Sequence, residues 1–95
     1  MREARRYVLI RAKGKFHLLS QASFSIIEFL GQHGGEAYYA DLADGCELSH
    51  DILYVMCQRL EAAKIIERRR DRRHRIMTVV KLVAKYRKLS LNVLR

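Results

Sequence analysis

Nine residues with the sequence "ERRRDRRHR" (67–75) carry the densest charge in the chain. Arginines at this spacing repel one another and cannot all be buried, so they face either water or a partner of dense negative charge. On a hairpin they could lie along phosphates or enter a narrow minor groove, where the negative potential is strongest. The run therefore predicts a polyanion-binding surface, with a solvated hairpin as the alternative. The predicted binding residues are Arg68, Arg69, Arg70, Arg72, Arg73 and Arg75.

The charge is unevenly distributed along the chain, which has a net charge of +9. Residues 1–15 sum to +5, residues 16–58 contain no Lys or Arg and sum to −6, and residues 59–95 sum to +10. An acidic centre thus lies between two basic ends. Such a balance points to polyanionic partners, with nucleic acid first and an anionic membrane surface second.

Length and composition indicate one folded domain. The 95 residues are close to the common domain size, and an apolar fraction of 49% supplies one core and argues against disorder. The apolar runs, such as "YVLI", are far shorter than the roughly 20 residues of a membrane span. The N-terminus lacks the apolar core of a signal peptide. We therefore expect a cytoplasmic protein.

Catalytic and metal-binding patterns are weak. Cys46, His50 and Cys57 could suggest a metal site, but a fourth ligand at suitable spacing is missing. The other three histidines pair with no nucleophile and acid, and neither a glycine-rich phosphate loop nor H-E-x-x-H occurs. We expect no enzyme, no cofactor and no metal. The two cysteines are expected to be small buried hydrophobes, with a disulfide as the alternative.

Three segments have the pattern of helices. Residues 20–32 place apolar side chains at helical spacing behind a serine cap, and "HGGE" then breaks the helix. Residues 37–45 suggest a short helix that ends at a glycine. Residues 49–62 predict a longer helix with Ser49 as the N-cap.

Strands are expected in two places. The β-branched runs "KIIERRR" and "RIMTVVKLV" surround the charged turn "DRRH", which predicts an antiparallel hairpin with an arginine-coated tip. Residues 5–19 could form a helix that ends at Gly14, or a hairpin that turns at Lys13–Gly14. We favour the hairpin because Tyr, Val, Ile and Phe favour strands.

From about Lys81 the apolar residues return at helical spacing, although the tail "LSLNVL" also alternates and could be extended. This pattern predicts an amphipathic C-terminal helix whose apolar stripe is a dimer interface. The expected fold is mainly α with a small antiparallel β component, a winged helix-turn-helix in one domain (1–95). Its core spans about 20–82, after a basic segment (1–19) and before a dimerisation segment (81–95). The interface residues are Leu82, Val83, Tyr86, Leu89 and Val93.

The segment "YADLADGCELSHDILYVMCQRLEAAKIIERRRDRRHRIMTVVKL" resembles the core of MarR-like winged-helix transcription regulators, most closely in "RLEAAKIIERRRDRRHR". In that family a leucine–glutamate pair closes the recognition helix, and a glycine precedes the first wing strand. Lys64 occupies the glycine position here, so the helix end must be capped differently. The resemblance implies a dimer on double-stranded DNA, with the recognition helix in the major groove and the wing against the backbone or minor groove.

The predicted recognition helix departs from the family pattern because residues 49–58 contain no Arg or Lys. Its glutamine could pair with adenine, and its Ser, His and Tyr could reach bases or phosphates. For Tyr54 and His50 a partly exposed packing face is the alternative. The candidate base-contacting residues are Ser49, His50, Tyr54, Gln58 and Arg59.

Three functions fit these observations. The first is a dimeric DNA-binding transcription regulator with sequence preference. The second is an architectural protein that coats duplex with little sequence choice. The third is a winged-helix protein-interaction module whose acidic helix face docks a basic partner. We favour the first, and the sequence identifies no small-molecule effector for it. A helix-turn-helix has little reason to precede the wing unless the helix approaches a groove.

Overall fold

The computed structural model describes residues 7–74 and 76–90. Within them the chain forms three helices and six strands, all antiparallel where they pair. The expectation of a mainly α fold is therefore imprecise. The elements are β1 (Tyr7–Ala12), β2 (Lys15–Ser20), α1 (Gln21–Gln32), β3 (Glu36–Tyr38), α2 (Tyr39–Gly45), α3 (His50–Ala62), β4 (Ile66–Arg70), β5 (Thr78–Leu82) and β6 (Tyr86–Ser90).

The N-terminal segment is a hairpin, as favoured from its sequence. Strands β1 and β2 pair antiparallel across a two-residue turn at Lys13 and Gly14, whose φ values of 54° and 74° are both positive. Two positive φ angles match the right-handed twist of paired strands, and glycine adopts one without strain. The inward side chains of β1 are Val8, Ile10 and Ala12, all buried.

Helix α1 begins and ends close to its predicted bounds. The Ser20 hydroxyl accepts a hydrogen bond from the Ser23 backbone N–H at 3.1 Å, so Ser20 is the cap. The buried face of the helix carries Phe24, Ile27 and Leu30, with Ile26 beside them. This face packs against the core side of the β2-β1-β6 sheet, where the Tyr86 ring meets Phe24 edge-on at 5.9 Å.

Helices α2 and α3 form the helix-turn-helix. Helix α2 ends at Gly45, where an added Cβ would lie 2.2 Å from the Phe29 ring, so this close approach requires glycine. Ser49 caps α3 by accepting from the Ile52 N–H at 3.3 Å, as predicted. The buried residues of α3 are Leu53, Cys57 and Leu60.

The predicted hairpin is confirmed, and it belongs to a three-stranded sheet of order β3-β5-β4. Strand β3 was not predicted from the sequence, because its three residues carry too short a pattern and the expected helix was extended over two of them. It forms by pairing with β5, Ala37 opposite Val80 and Tyr38 opposite Val79. We call the β4–β5 hairpin and its connecting turn (66–82) the wing.

The predicted C-terminal helix is wrong over residues 86–90. These residues form β6, which pairs antiparallel with β1 and completes the sheet of order β2-β1-β6. A window of five residues holds too few apolar positions for their spacing to decide between helix and strand. The open edge of β1 decides the outcome, because β6 satisfies its backbone hydrogen bonds there.

No helix among the described residues is both long enough and apolar enough to cross a membrane.

Candidate nucleic-acid interface

The end of α3 and the start of the wing are joined by one ion pair. Arg68 on β4 donates to Glu61 on α3 through Nη2 at 2.7 Å and Nε at 3.1 Å, and its backbone N–H reaches the other carboxylate oxygen at 3.2 Å. The guanidinium also lies 5.4 Å from the centre of the Tyr54 ring, within cation–π range. Arg68 therefore fixes the wing against α3.

The ion pair between Glu61 and Arg68 favours the charged form of both side chains. The hydrogen bond from Arg68 lowers the pKa of Glu61 below its ordinary value, and the same bond raises the pKa of Arg68. Both groups are thus ionised near neutral pH. The Arg68 side chain is only 18% exposed. Arg68, one of the predicted wing arginines, therefore makes an intramolecular ion pair.

The wing turn is organised by its single acid, Asp71. Its Oδ2 accepts from the His74 backbone N–H and from the Tyr38 hydroxyl, both at 3.2 Å. Its backbone N–H donates to the Met77 carbonyl at 2.9 Å, and the Met77 N–H donates to the His74 carbonyl at 2.8 Å. The hydrogen bond to Asp71 raises the pKa of Tyr38 above its ordinary value. An aspartate between arginines thus shapes the turn that presents them.

The remaining wing arginines lie on the surface. Arg69 and Arg70 are exposed on β4, and Arg72 and Arg73 are exposed in the turn. The ion pair of Arg69 with Glu36 is long, 3.9 Å, and half exposed, so it contributes little. Arg75 lies outside the described residues.

The predicted base-contacting residues are all exposed, but several have local partners. Ser49 is the helix cap, and the Tyr39 hydroxyl donates to the His50 carbonyl at 3.1 Å while the two rings lie 5.7 Å apart. Tyr54 is half exposed beneath Arg68. Gln58 and Arg59 point away from the buried stripe of α3.

Sequence reasoning missed two exposed aliphatic residues on α3, Ile52 and Val55. A helical projection could have found them. Leu53, Cys57 and Leu60 define the buried side, and Ile52 and Val55 fall off it. An isoleucine and a valine in solvent on the helix beside the wing are therefore candidate contact residues.

The predicted dimer residues do not form one stripe. Leu82 and Tyr86 pack against the core, whereas Val83 and Leu89 are exposed, and Val93 lies outside the described residues. A larger exposed surface lies on the outer face of the β2-β1-β6 sheet, opposite the buried side of β1. Cross-strand pairing and alternation place these residues there: Leu9, Arg11, Phe16, Leu18, Arg87 and Leu89.

Both cysteines are free. Burial raises the pKa of the Cys57 thiol to about 11 and also raises that of Cys46, so both remain neutral thiols at neutral pH. No group of three or more His, Cys, Asp or Glu side chains within residues 7–74 and 76–90 is arranged to hold a metal ion.

Comparison with solved structures agrees with this geometry. The chain is similar to the YusO protein from Bacillus subtilis, with a TM-score of 0.62 and 22% identity over 67% of this chain. It is also similar to a MepR-like protein solved with pseudoligands, with a TM-score of 0.62 and 26% identity over 68% of this chain. Both are MarR-family winged-helix proteins. The chain shares their winged-helix fold. The predicted resemblance is thereby confirmed.

The structural match covers only part of each neighbour. The chain spans 45% of the length of each neighbour, so it corresponds to less than half of either protein. The sequence matches no family model and no curated protein.

Proposed function

We propose that this chain is a double-stranded DNA-binding transcription regulator. The observation that carries the proposal is the Glu61–Arg68 pair, which holds the exposed face of α3 beside the wing. A winged helix needs both surfaces to meet one duplex together, the helix in the major groove and the wing on the adjacent backbone or minor groove. The bond between them fixes that relative position before DNA arrives.

The wing supplies the electrostatic part of this interface. Arg69 and Arg70 are exposed on opposite faces of β4, and Arg72 and Arg73 are exposed in the turn that follows. Guanidinium groups at these positions can contact phosphates on either side of the wing. Each contact releases condensed counterions, which favours binding regardless of sequence. Sequence preference then depends on α3, whose first nine residues carry no positive side chain.

We also propose that the protein acts as a homodimer, as the family resemblance implies. The outer face of the β2-β1-β6 sheet is the surface that best suits a second copy. Phe16 is 64% exposed there, and Leu18 and Leu89 are also exposed large apolar residues. Arg11 and Arg87 lie among them, and the Arg11 guanidinium is 5.4 Å from the centre of the Phe16 ring. Apolar residues grouped on one sheet face favour association over solvation. A two-fold dimer would present two copies of α3 to two half-sites.

The direct test is selection from a random duplex library at physiological salt, with sequencing of the bound fraction. Gln58→Ala should then cost about 1–3 kcal/mol on a preferred site and little on random duplex, because its amide carries no charge. Gln32→Ala is the matched control, since Gln32 is an exposed glutamine at the end of α1.

Other results would favour the other functions. If Gln58→Ala binds preferred and random duplex in the wild-type ratio, α3 does not contact bases and an architectural role is favoured. If no duplex is retained at physiological salt, the DNA-binding proposal fails and a protein-interaction role remains.

A further inference from the structure

The exposed side of α3 carries an apolar pair that folding does not use. Ile52 is 47% exposed and Val55 is 44% exposed, although each is a large hydrophobic residue. Residues three apart on a helix are neighbours on its surface, so these two side chains form one patch. Arg59 follows four residues later and extends the same stripe toward the end of the helix.

The polar residues around this patch restrict which base pairs it suits. Guanine is most often bound through Arg or Lys at its O6 and N7 atoms. In α3 the only such residue is Arg59, in the last turn, and His50–Gln58 contains neither. Asp51 has a structural reason for its place, since it lies in the first turn at the positive end of the helix dipole. Gln58 is exposed and matches the N6 and N7 atoms of adenine.

The major groove offers apolar side chains only one strongly apolar group, the C5-methyl of thymine. We propose that Ile52 and Val55 contact thymine methyl groups and that Gln58 pairs with adenine, so that the part of α3 before Arg59 selects A·T base pairs. This inference rests on the proposed function, because it requires α3 to enter a major groove. It differs from that proposal in assigning a base-pair class and the atoms that are recognised.

The test removes the methyl group and nothing else from the groove edge. A preferred duplex is compared with the same duplex in which deoxyuridine replaces thymidine, in equilibrium binding at fixed salt. Wild-type protein should lose about fourfold in affinity for each methyl contact, from the transfer free energy of one methyl-sized group. The variant Ile52→Ala/Val55→Ala should bind the thymine duplex more weakly and no longer distinguish it from the uracil duplex.

Conservative variants test whether the aliphatic groups themselves matter. The pair Ile52→Val/Val55→Ile keeps branched methyl groups at both positions and should retain the preference for thymine over uracil. Circular dichroism and thermal melting of each variant verify that the fold is unchanged.

The outcomes separate this inference from the function on which it rests. Duplex binding with equal affinity for thymine and uracil would overturn the inference and leave DNA binding intact. Equal binding of the double alanine variant and the wild type would overturn it as well and would favour a protein partner for the patch. Absence of any duplex binding would instead overturn the proposed function.

Discussion

At the scale of single residues, Asp71 and Glu61 explain two acids in a strongly basic region. Each accepts two or more hydrogen bonds that position the wing, Asp71 at its tip and Glu61 at its base. The sequence showed the acids but not their partners, because Tyr38 lies 33 positions before Asp71. Side chains so distant along the chain meet only after β3 has paired with β5.

We expect Asp71→Ala to loosen the wing turn. The His74 N–H and the Tyr38 hydroxyl would lose their common acceptor, so the free energy of unfolding should fall. The pKa of Tyr38 should fall back toward its ordinary value, since the hydrogen bond that raises it is gone. Denaturant unfolding and NMR titration of the tyrosine measure the two effects.

The matched control is Glu67→Ala, which removes the same charge from an exposed position on β4. It should change stability by less than about 0.5 kcal/mol. Equal effects of the two substitutions would show that charge, and not the turn, accounts for the result.

At the scale of elements, the end of α3 shows how a family pattern is kept without its usual residue. Lys64 stands in the glycine position, and we expected a different cap from the sequence. The observed cap is nevertheless the one that glycine would form. The Lys64 N–H donates to the Glu61 backbone carbonyl at 2.9 Å, and the Ile65 N–H donates to the Leu60 carbonyl at 3.0 Å. Lys64 adopts a φ of 62° to make it, a left-handed conformation that is strained for a residue with a Cβ.

Lys64→Gly should therefore stabilise the protein, by about 0.5–1 kcal/mol after the greater flexibility of unfolded glycine is counted. Ala62→Gly, two residues earlier and still helical with negative φ, should instead destabilise it by up to about 1 kcal/mol. Both are measured by chemical denaturation. A loss of stability in Lys64→Gly would contradict a strained cap.

At the scale of the whole molecule, the sequence predicted those elements that residues close together in the chain determine. Ser49 as a cap and the β4–β5 hairpin follow from residues close in sequence. Strands β3 and β6 could not be predicted in this way, because each forms only against a strand more than 40 residues away. The arginine run was singled out by its density alone, and its role in binding stays a prediction. The exposed pair on α3 could have been found by a helical projection, since Leu53, Cys57 and Leu60 mark the buried side.

The dimer proposal makes a prediction at this scale. Sedimentation of the intact chain should give twice the chain mass. The variant Phe16→Ser should shift the equilibrium toward monomer, because it removes the most exposed aromatic side chain of the outer sheet face. Val83→Ser is the matched control, an exposed aliphatic residue away from that face. Dissociation by Val83→Ser alone would place the interface near 82–86, and a monodisperse wild-type monomer would exclude the dimer.

The central claim is that the wing arginines contact the phosphates of the duplex. The salt dependence of binding tests it most directly. The variant Arg72→Ala/Arg73→Ala is compared with Lys15→Ala/Lys85→Ala, which removes two exposed positive charges away from the wing turn. The slope of log K against log salt should fall in magnitude by roughly 2 for the wing variant, at about 0.9 per phosphate contact, and remain unchanged for the control. An unchanged slope in the wing variant, or an equal fall in both, would contradict the account.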